Sequence, residues 1–382
     1  MNQEAPETRQ LKIAYAAQVP IPSHRAYAVH VMHMCQAFAQ LGHDVTLYGM
    51  PPAVEVDDAH DYYGMPRTFN LASIPMSRLR GLAGPAFGRA IVRHALRNRP
   101  PDLFYSRHIY AAAFARRAGL PVIYEVHMPV SNAAHHWLLR GMLRDRQRFR
   151  LVAITDALRE RYLEDFPELQ HDDVLIAHDG AVLLAEQEAS VIDVRQSDDI
   201  TVGYVGNLYP GKGMELIVEL AAQMPEIPFH IVGGRPEDLE YWRPKIKEGN
   251  LILHGQVPHG DLALFFRMMD ILLLPLQQQV SPDGGSGDIA KWTSPMKMFE
   301  YMAQGKPIIA SDLPVLQEVL KDRENAMIVR GDDPSAWIDS IRLLIACESL
   351  RSRLGAKARQ DLEDHFTWNT RAQRILREAF PS

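Results

Sequence analysis

Two cysteines in 382 residues, Cys35 and Cys347, exclude a disulfide scaffold and a cysteine-rich zinc module. Each falls in an apolar helical pattern, which predicts two buried free thiols. No apolar run approaches the roughly 20 residues of a membrane-spanning helix, and the first ten residues hold no apolar signal core. A cytoplasmic protein is expected. Positive charge is in deficit: 41 Lys and Arg against 47 Asp and Glu give a net charge of −6, against a dedicated nucleic-acid binder. No internal repeat of fixed period is present. What is there reads as globular, with 47% hydrophobic and 23% charged residues, and the length exceeds one ordinary core, so two domains are expected.

The apolar run Leu11–Ala17, a helical pattern from Ala26 to Leu41 ended by Gly42, and the strand Asp44–Met50 make a βαβ unit. The alternation continues through strand Leu103–Tyr105, helix Ile109–Ala118, strand Pro121–Val126, helix Asn132–Arg150 and strand Leu151–Ile154. It dissolves in the polar stretch Glu186–Asp199, read as a linker, and resumes at strand Ile200–Val205. The fold class is α/β, with two doubly wound, Rossmann-like domains over residues 1–190 and 191–365. A terminal amphipathic helix, 366–382, is expected to pack back towards the first domain. Parallel sheets of this kind bind ligands at the carboxyl ends of their strands.

Two such strand ends in the second half open into glycine-rich turns. One is Gly203-Tyr204-Val205-Gly206-Asn207-Leu208-Tyr209-Pro210-Gly211-Lys212-Gly213, with Lys212 at the lip of a helix expected over Lys212–Gln223. The other follows Pro275 through Ser281–Asp288 into Ser294-Pro295-Met296-Lys297-Met298-Phe299-Glu300-Tyr301-Met302-Ala303. Thr293 or Ser294 is expected to cap that helix, Pro295 to take its first position, and Gly305 to end it. A glycine loop feeding a helix start receives anions, most often phosphate, and Glu300 lies far enough along to reach a ribose hydroxyl. Neither turn has the dinucleotide fingerprint or the P-loop spacing. Taken alone, a glycine turn with a solvated lysine and an exposed helical glutamate are the ordinary readings; convergence at one sheet edge is what argues for a ligand.

In the first half, His127 follows a strand end in Tyr124-Glu125-Val126-His127, where it can bond a sugar hydroxyl or a structural partner equally well. Histidines gather at His24, His30 and His33, with Cys35 nearby, and at His135-His136, yet no carboxylate or second cysteine completes a metal set at familiar spacing, so no metal is expected. Arginines at 78, 80, 89, 93, 97 and 99, and at 140, 144, 146, 148 and 150, read as two basic amphipathic helices. Such faces attract an anionic surface or a phosphorylated acceptor, or are simply solvated.

The paired domains, the Gly-Asn-Leu-Tyr-Pro-Gly-Lys-Gly turn and the Ser294–Ala303 stretch resemble the retaining glycosyltransferases of family 4, which have the GT-B fold. The resemblance runs from about Leu11 to the last helix and is most specific in the second half. It implies transfer of a sugar from a nucleoside-diphosphate donor to a glycan or lipid-linked hydroxyl, as in polysaccharide synthesis, with an interdomain cleft, no cofactor and no metal. Lys212 would hold the diphosphate, Glu300 the ribose, and the backbone at Ser294, Met296 and Lys297 the phosphates. Gly206 and Asn207 would line the donor site, Val257 would meet the base, and His127 the donor sugar near the reaction centre. The family's first motif glutamate falls at Trp292 here, with Asp288 or Asp283 as stand-ins. Its arginine falls at Asn207, with Arg25 as a helper. A Ser-Pro-X-Lys subgroup shares the first departure. Location would be cytoplasmic, at the inner face of a membrane. Two other readings stay open: a donor-binding partner subunit without transfer, and a nucleotide-sugar epimerase.

Overall fold

The computed structural model describes residues 9–77, 81–98, 100–183, 199–257, 261–280 and 288–379. The chain forms two compact units, the first of Met1–Ile154, Leu158–Ala177 and Trp368–Ser382, the second of Thr155–Ala157 and His178–Thr367.

The first unit is built on a parallel sheet of β1 (Lys12–Pro20), β2 (Asp44–Met50), β3 (Asn70–Ser73), β4 (Leu103–Ser106), β5 (Val122–Val126), β6 (Phe149–Ala153) and β7 (Val174–Ile176). The order is β3-β2-β1-β4-β5-β6-β7. Strand interiors such as Leu103–Ser106 are buried throughout because helices cover both faces, which is why they read as continuous apolar runs. The order reverses between β1 and β4, opening a crevice at their carboxyl ends, where Arg107 follows β4 and, one strand along, His127 follows β5.

The second unit holds β8 (Val202–Val205), β9 (Phe229–Val232), β10 (Leu251–Gly255), β11 (Ile271–Leu274), β12 (Ile308–Ser311) and β13 (Met327–Val329), all parallel, in the order β10-β9-β8-β11-β12-β13. Here the reversal lies between β8 and β11. These are the two strands whose ends carry the glycine turns.

Several boundaries differ from the sequence reading. The helix expected over 132–150 stops at Leu143, because Phe149 onward is drawn into β6. The second arginine group is therefore no amphipathic helix: Arg146 pairs with Asp173 at 2.5 Å, Arg140 with Glu168 at 3.5 Å, and Arg150 donates to the carbonyl of Ala379. The first group does lie on a helix, Ala83–Asn98, with Arg89, Arg93 and Arg97 exposed; Arg78, Arg80 and Arg99 fall outside the described residues. Cys35 is buried, but Cys347 is only half-buried, at the break between helices Pro334–Ala346 and Glu348–Asp361. The central helix spans Met296–Ala303 with Pro295 as its uncapped N-cap, one residue later than expected. Ser294 does not cap it, since its Oγ accepts a bond from the amide of Asp179. The helix beyond Lys212 starts at Met214. Residues 184–198, which take in all of the expected linker except Asp199, and the loop residues 281–287, including Asp283, lie outside the described residues.

Candidate functional site

In the second unit, one apolar helix face builds the site. Tyr301 is fully buried, and its hydroxyl takes the amide of Val205 at 2.8 Å and returns a bond to the same residue's carbonyl. That pair ties the central helix to the end of β8. One turn earlier on the same face, Lys297 reaches the same strand end. Its Nζ lies 3.9 Å from the centre of the Tyr204 ring and donates to the Tyr204 hydroxyl at 2.6 Å, which in turn donates to the carbonyl of Asn207. Gly206 sits under this amine: a Cβ there would stand 2.3 Å from Lys297 Nζ. Gly213, at φ +83°, opens the next helix from the left-handed region, and a Cβ there would meet the Pro275 carbonyl at 2.0 Å. With Gln277 donating to the Gly211 carbonyl, the turns after β8 and β11 are in direct contact.

Lys212 lies in the first of these turns, its Nζ 5.2 Å from the Tyr209 ring centre. Burial first, and then the charge of Lys212, hold the Lys297 amine well below its ordinary pKa; the Glu300 carboxylate pulls the other way. The Lys297 amine over Gly206 thus feels the charges of both Lys212 and Glu300. Met296 heads a helix start whose N-cap residue, Pro295, makes no side-chain cap bond to the first-turn amides. The arrangement suits two adjacent negative charges. Lys297 enters through its side chain, whereas the sequence pointed only to its amide; the signal was its four-residue spacing from Tyr301. Asp288 closes the base of its loop, its Oδ1 accepting from the amides of Val280 and Ala290. Val257 packs half-buried against the core.

In the first unit, His127 is organised by a residue the sequence reading passed over. Glu125 lies within β5, wholly buried, and its carboxylate takes His127 Nε2 at 2.6 Å, Arg371 at 2.8 Å and the Tyr105 hydroxyl, with His30 Nε2 at 3.4 Å and Arg107 Nε at 3.8 Å. Burial opposes its ionisation, yet Arg371 foremost, with the histidines, holds its pKa well below the usual carboxylate value. A carboxylate only accepts, so Nε2 of His127 carries the proton and Nδ1 keeps a lone pair. Burial, aided by Arg107, pushes the His127 pKa down to about 3, so the ring is neutral near pH 7. His127 and Arg107 line a cavity of about 530 Å³ with Tyr27, Tyr124, Ser131 and Tyr162. Arg25, by contrast, sits exposed at the start of helix Ala26–Gln40.

The fold also supplies the carboxylate that the sequence spacing lacked beside the histidines: donor atoms of His30, Glu125 and His127 lie within 4.8 Å of one another. Arg371 and Arg107 crowd the same carboxylate, and two guanidiniums there oppose a bound cation.

Comparison with known proteins points one way for both units. Residues 27–181 match the family described as Glycosyltransferase Family 4, and residues 186–361 the family described as Glycosyl transferases group 1. A phosphatidyl-myo-inositol mannosyltransferase of Mycolicibacterium smegmatis is 24% identical over 364 residues, covering 91% of this chain and 88% of that protein. A D-inositol 3-phosphate glycosyltransferase of Xylanimonas cellulosilytica is 26% identical over 187 residues, 47% of this chain and 42% of that protein. The matched region likewise spans less than half the length of several other curated relatives. Among solved structures, Anabaena HepE in complex with UDP and glucose superimposes with a TM-score of 0.70 at 15% identity, covering 98% of this chain and all of the other. WaaG, titled a glycosyltransferase involved in lipopolysaccharide biosynthesis, gives 0.64 at 14% identity, covering 97% and 100%.

Proposed function

The chain belongs to the family 4 glycosyltransferases of GT-B fold, and from that premise we propose that it moves a sugar from a nucleoside-diphosphate donor to a hydroxyl of a glycan or lipid-linked acceptor, with retention at the anomeric carbon. One observation carries the reading: the Lys297 amine stands over Gly206 at the reversal point of the second sheet, and the charge of Lys212, from the turn after β8, acts on it. In this proposal the two lysines hold the diphosphate together with the amides of Met296 and Lys297. Glu300 holds the ribose, and His127 accepts a hydroxyl of the sugar. Cleavage of the sugar–phosphate bond leaves negative charge on the diphosphate, which the lysines and amides stabilise without a metal. The acceptor oxygen bonds to the anomeric carbon on the face the diphosphate leaves, and its proton passes to the departing phosphate oxygen. Glu125 is no candidate nucleophile, since it is wholly buried and tied to Arg371 and His127. Trp292 in place of a first motif glutamate, with the Ser-Pro-X-Lys start, is a trait of the proposed subgroup.

The test is a thermal-shift panel of UDP-, GDP- and ADP-sugars, in which one donor raises the melting temperature. Transfer should then survive EDTA and fall by about a hundredfold or more in Lys212→Ala and in Glu300→Ala, with both variants folded. Full activity in either would overturn the assignment. Product formed without acceptor would favour epimerisation instead.

The surface of the first unit supports a peripheral site of action. Arg89, Arg93 and Arg97 form an exposed row on one helix, and Leu82 and Trp137 are 59% and 66% exposed. We place the protein at the cytoplasmic face of a membrane. It should float with anionic vesicles at low salt, and replacing the three arginines by glutamine should release it; flotation unchanged by that substitution would refute the contact.

A further inference from the structure

We propose that the cavity beside Arg107 is a subsite for an anionic group, a phosphate or a carboxylate, carried on a hydroxylated ring of the substrate. The argument starts from where a buried positive charge finds its compensation. Arg107 follows β4 at the reversal point of the first sheet, and its side chain is 9% exposed. Its guanidinium lies 3.8 Å from the centre of the Tyr27 ring, donates at 2.9 Å to His30 Nδ1, and stands 3.8 Å from Glu125. That carboxylate is engaged more closely by Arg371 at 2.8 Å and by His127 at 2.6 Å. Arg107 is therefore stacked on a neutral ring and bonded to a histidine nitrogen, and among the described residues its carboxylate partner, Glu125, stands at the outer limit of pairing. Five N–H donors belong to a guanidinium, and among the described residues only one of them makes a hydrogen bond.

A buried charge so lightly matched is costly unless an anion completes it. The shape of the deficit names the ligand. A planar fork beside a cavity of about 530 Å³ suits the two oxygens of a phosphate or carboxylate. The same cavity is lined by His127, whose Nδ1 lone pair can accept from a hydroxyl. A neutral sugar satisfies the second demand and not the first. A sugar-like ring bearing an acidic group satisfies both, and the three tyrosines Tyr27, Tyr124 and Tyr162 border the space with aromatic surface that accepts a ring face.

This inference rests on the glycosyltransferase reading for its choice of ring, and the test separates the two. The full chain is titrated calorimetrically with glucose 6-phosphate, glucuronate and glucose, then as Arg107→Gln, as Arg107→Lys, and as the double variant Lys212→Ala/Lys297→Ala. At least one anionic ligand should bind about tenfold tighter than glucose; which one does identifies the phosphate or the carboxylate as the source. Arg107→Gln should erase that preference and the double variant should keep it. Should Arg107→Gln fail to fold, Arg107→Lys decides: at native melting temperature it should lose most of the preference, because it keeps the charge and loses the fork. Equal binding of all three ligands overturns the proposal. So does a preference lost in the double variant and kept in Arg107→Gln, which would place the anion at the lysine pair. A nucleoside-diphosphate titration of the same protein judges the donor reading separately, since its failure leaves the anion result standing.

Discussion

Glu125→Gln lowers the stability of the first unit by about 3–5 kcal/mol, the cost of leaving one member of a buried ion pair without its partner. The substitution keeps the shape of the side chain, so the loss is electrostatic. Arg371, 2 % exposed, is brought to β5 from the last helix of the chain, Trp368–Ala379, and Glu125 is the carboxylate it meets there at 2.8 Å. Chemical denaturation of the full chain, followed by a probe in the first unit, reads the change. The same substitution frees His127 to turn its protonated nitrogen the other way, so transfer should fall by roughly tenfold to a hundredfold beyond the loss of folded protein. The pH dependence has a definite sign. Glu125 has a depressed folded pKa, so its contribution is present above the ordinary carboxylate value and is lost as pH falls through the folded one. His127 is also depressed, from 6.5 to about 3, so the unfolded chain binds its proton first and stability declines as pH drops below about 6.5. The wild type therefore weakens on the acid side, and the carboxylate part of that slope vanishes in Glu125→Gln. A variant as stable and as active as the wild type would refute the role given to this network.

How this network escaped sequence reading is instructive. Glu125 sits in Val122–Val126, a strand buried on both faces, and an acid inside such a strand is itself a sign that a partner waits in the fold. The partner is 246 positions away, and no local pattern announces it. The second unit was more legible. Gly206 directly after the apolar run ending at Val205 marked one strand end, since a Cβ there would stand 2.3 Å from Lys297 Nζ, and Pro275 closed the apolar run ending at Leu274. The overrun of the helix beyond Leu143 has the opposite cause: neither glycine nor proline occurs between Met142 and Leu151, and the stop is imposed by the demand of the sheet for Phe149. Ser294 likewise looked like a cap by residue type, but the amide of Asp179 claims its oxygen.

Lys297→Met should move stability and function in opposite directions. The apolar stem is retained and the ammonium removed from a buried position beside Lys212, so the unliganded protein gains about 0.5–2 kcal/mol. The Tyr204 hydroxyl is not orphaned, because it still donates to the carbonyl of Asn207. Transfer should fall by about 10²–10³, the loss expected when a preorganised donor to a developing anion is removed. The amine's depressed pKa fixes a further sign. Below its ordinary value of 10.5 the folded state resists a proton that the unfolded state accepts, so this lysine costs stability at neutral pH and the cost fades as pH rises. An arriving diphosphate reverses that balance.

The most direct test of the phosphate site is calorimetric titration of UDP, GDP and ADP into the wild type, Lys297→Met and Lys212→Ala, alongside their melting temperatures. One diphosphate should bind the wild type, both variants should weaken it by about tenfold or more, and Lys297→Met should melt above the wild type when empty. Undiminished affinity in both variants would contradict the account.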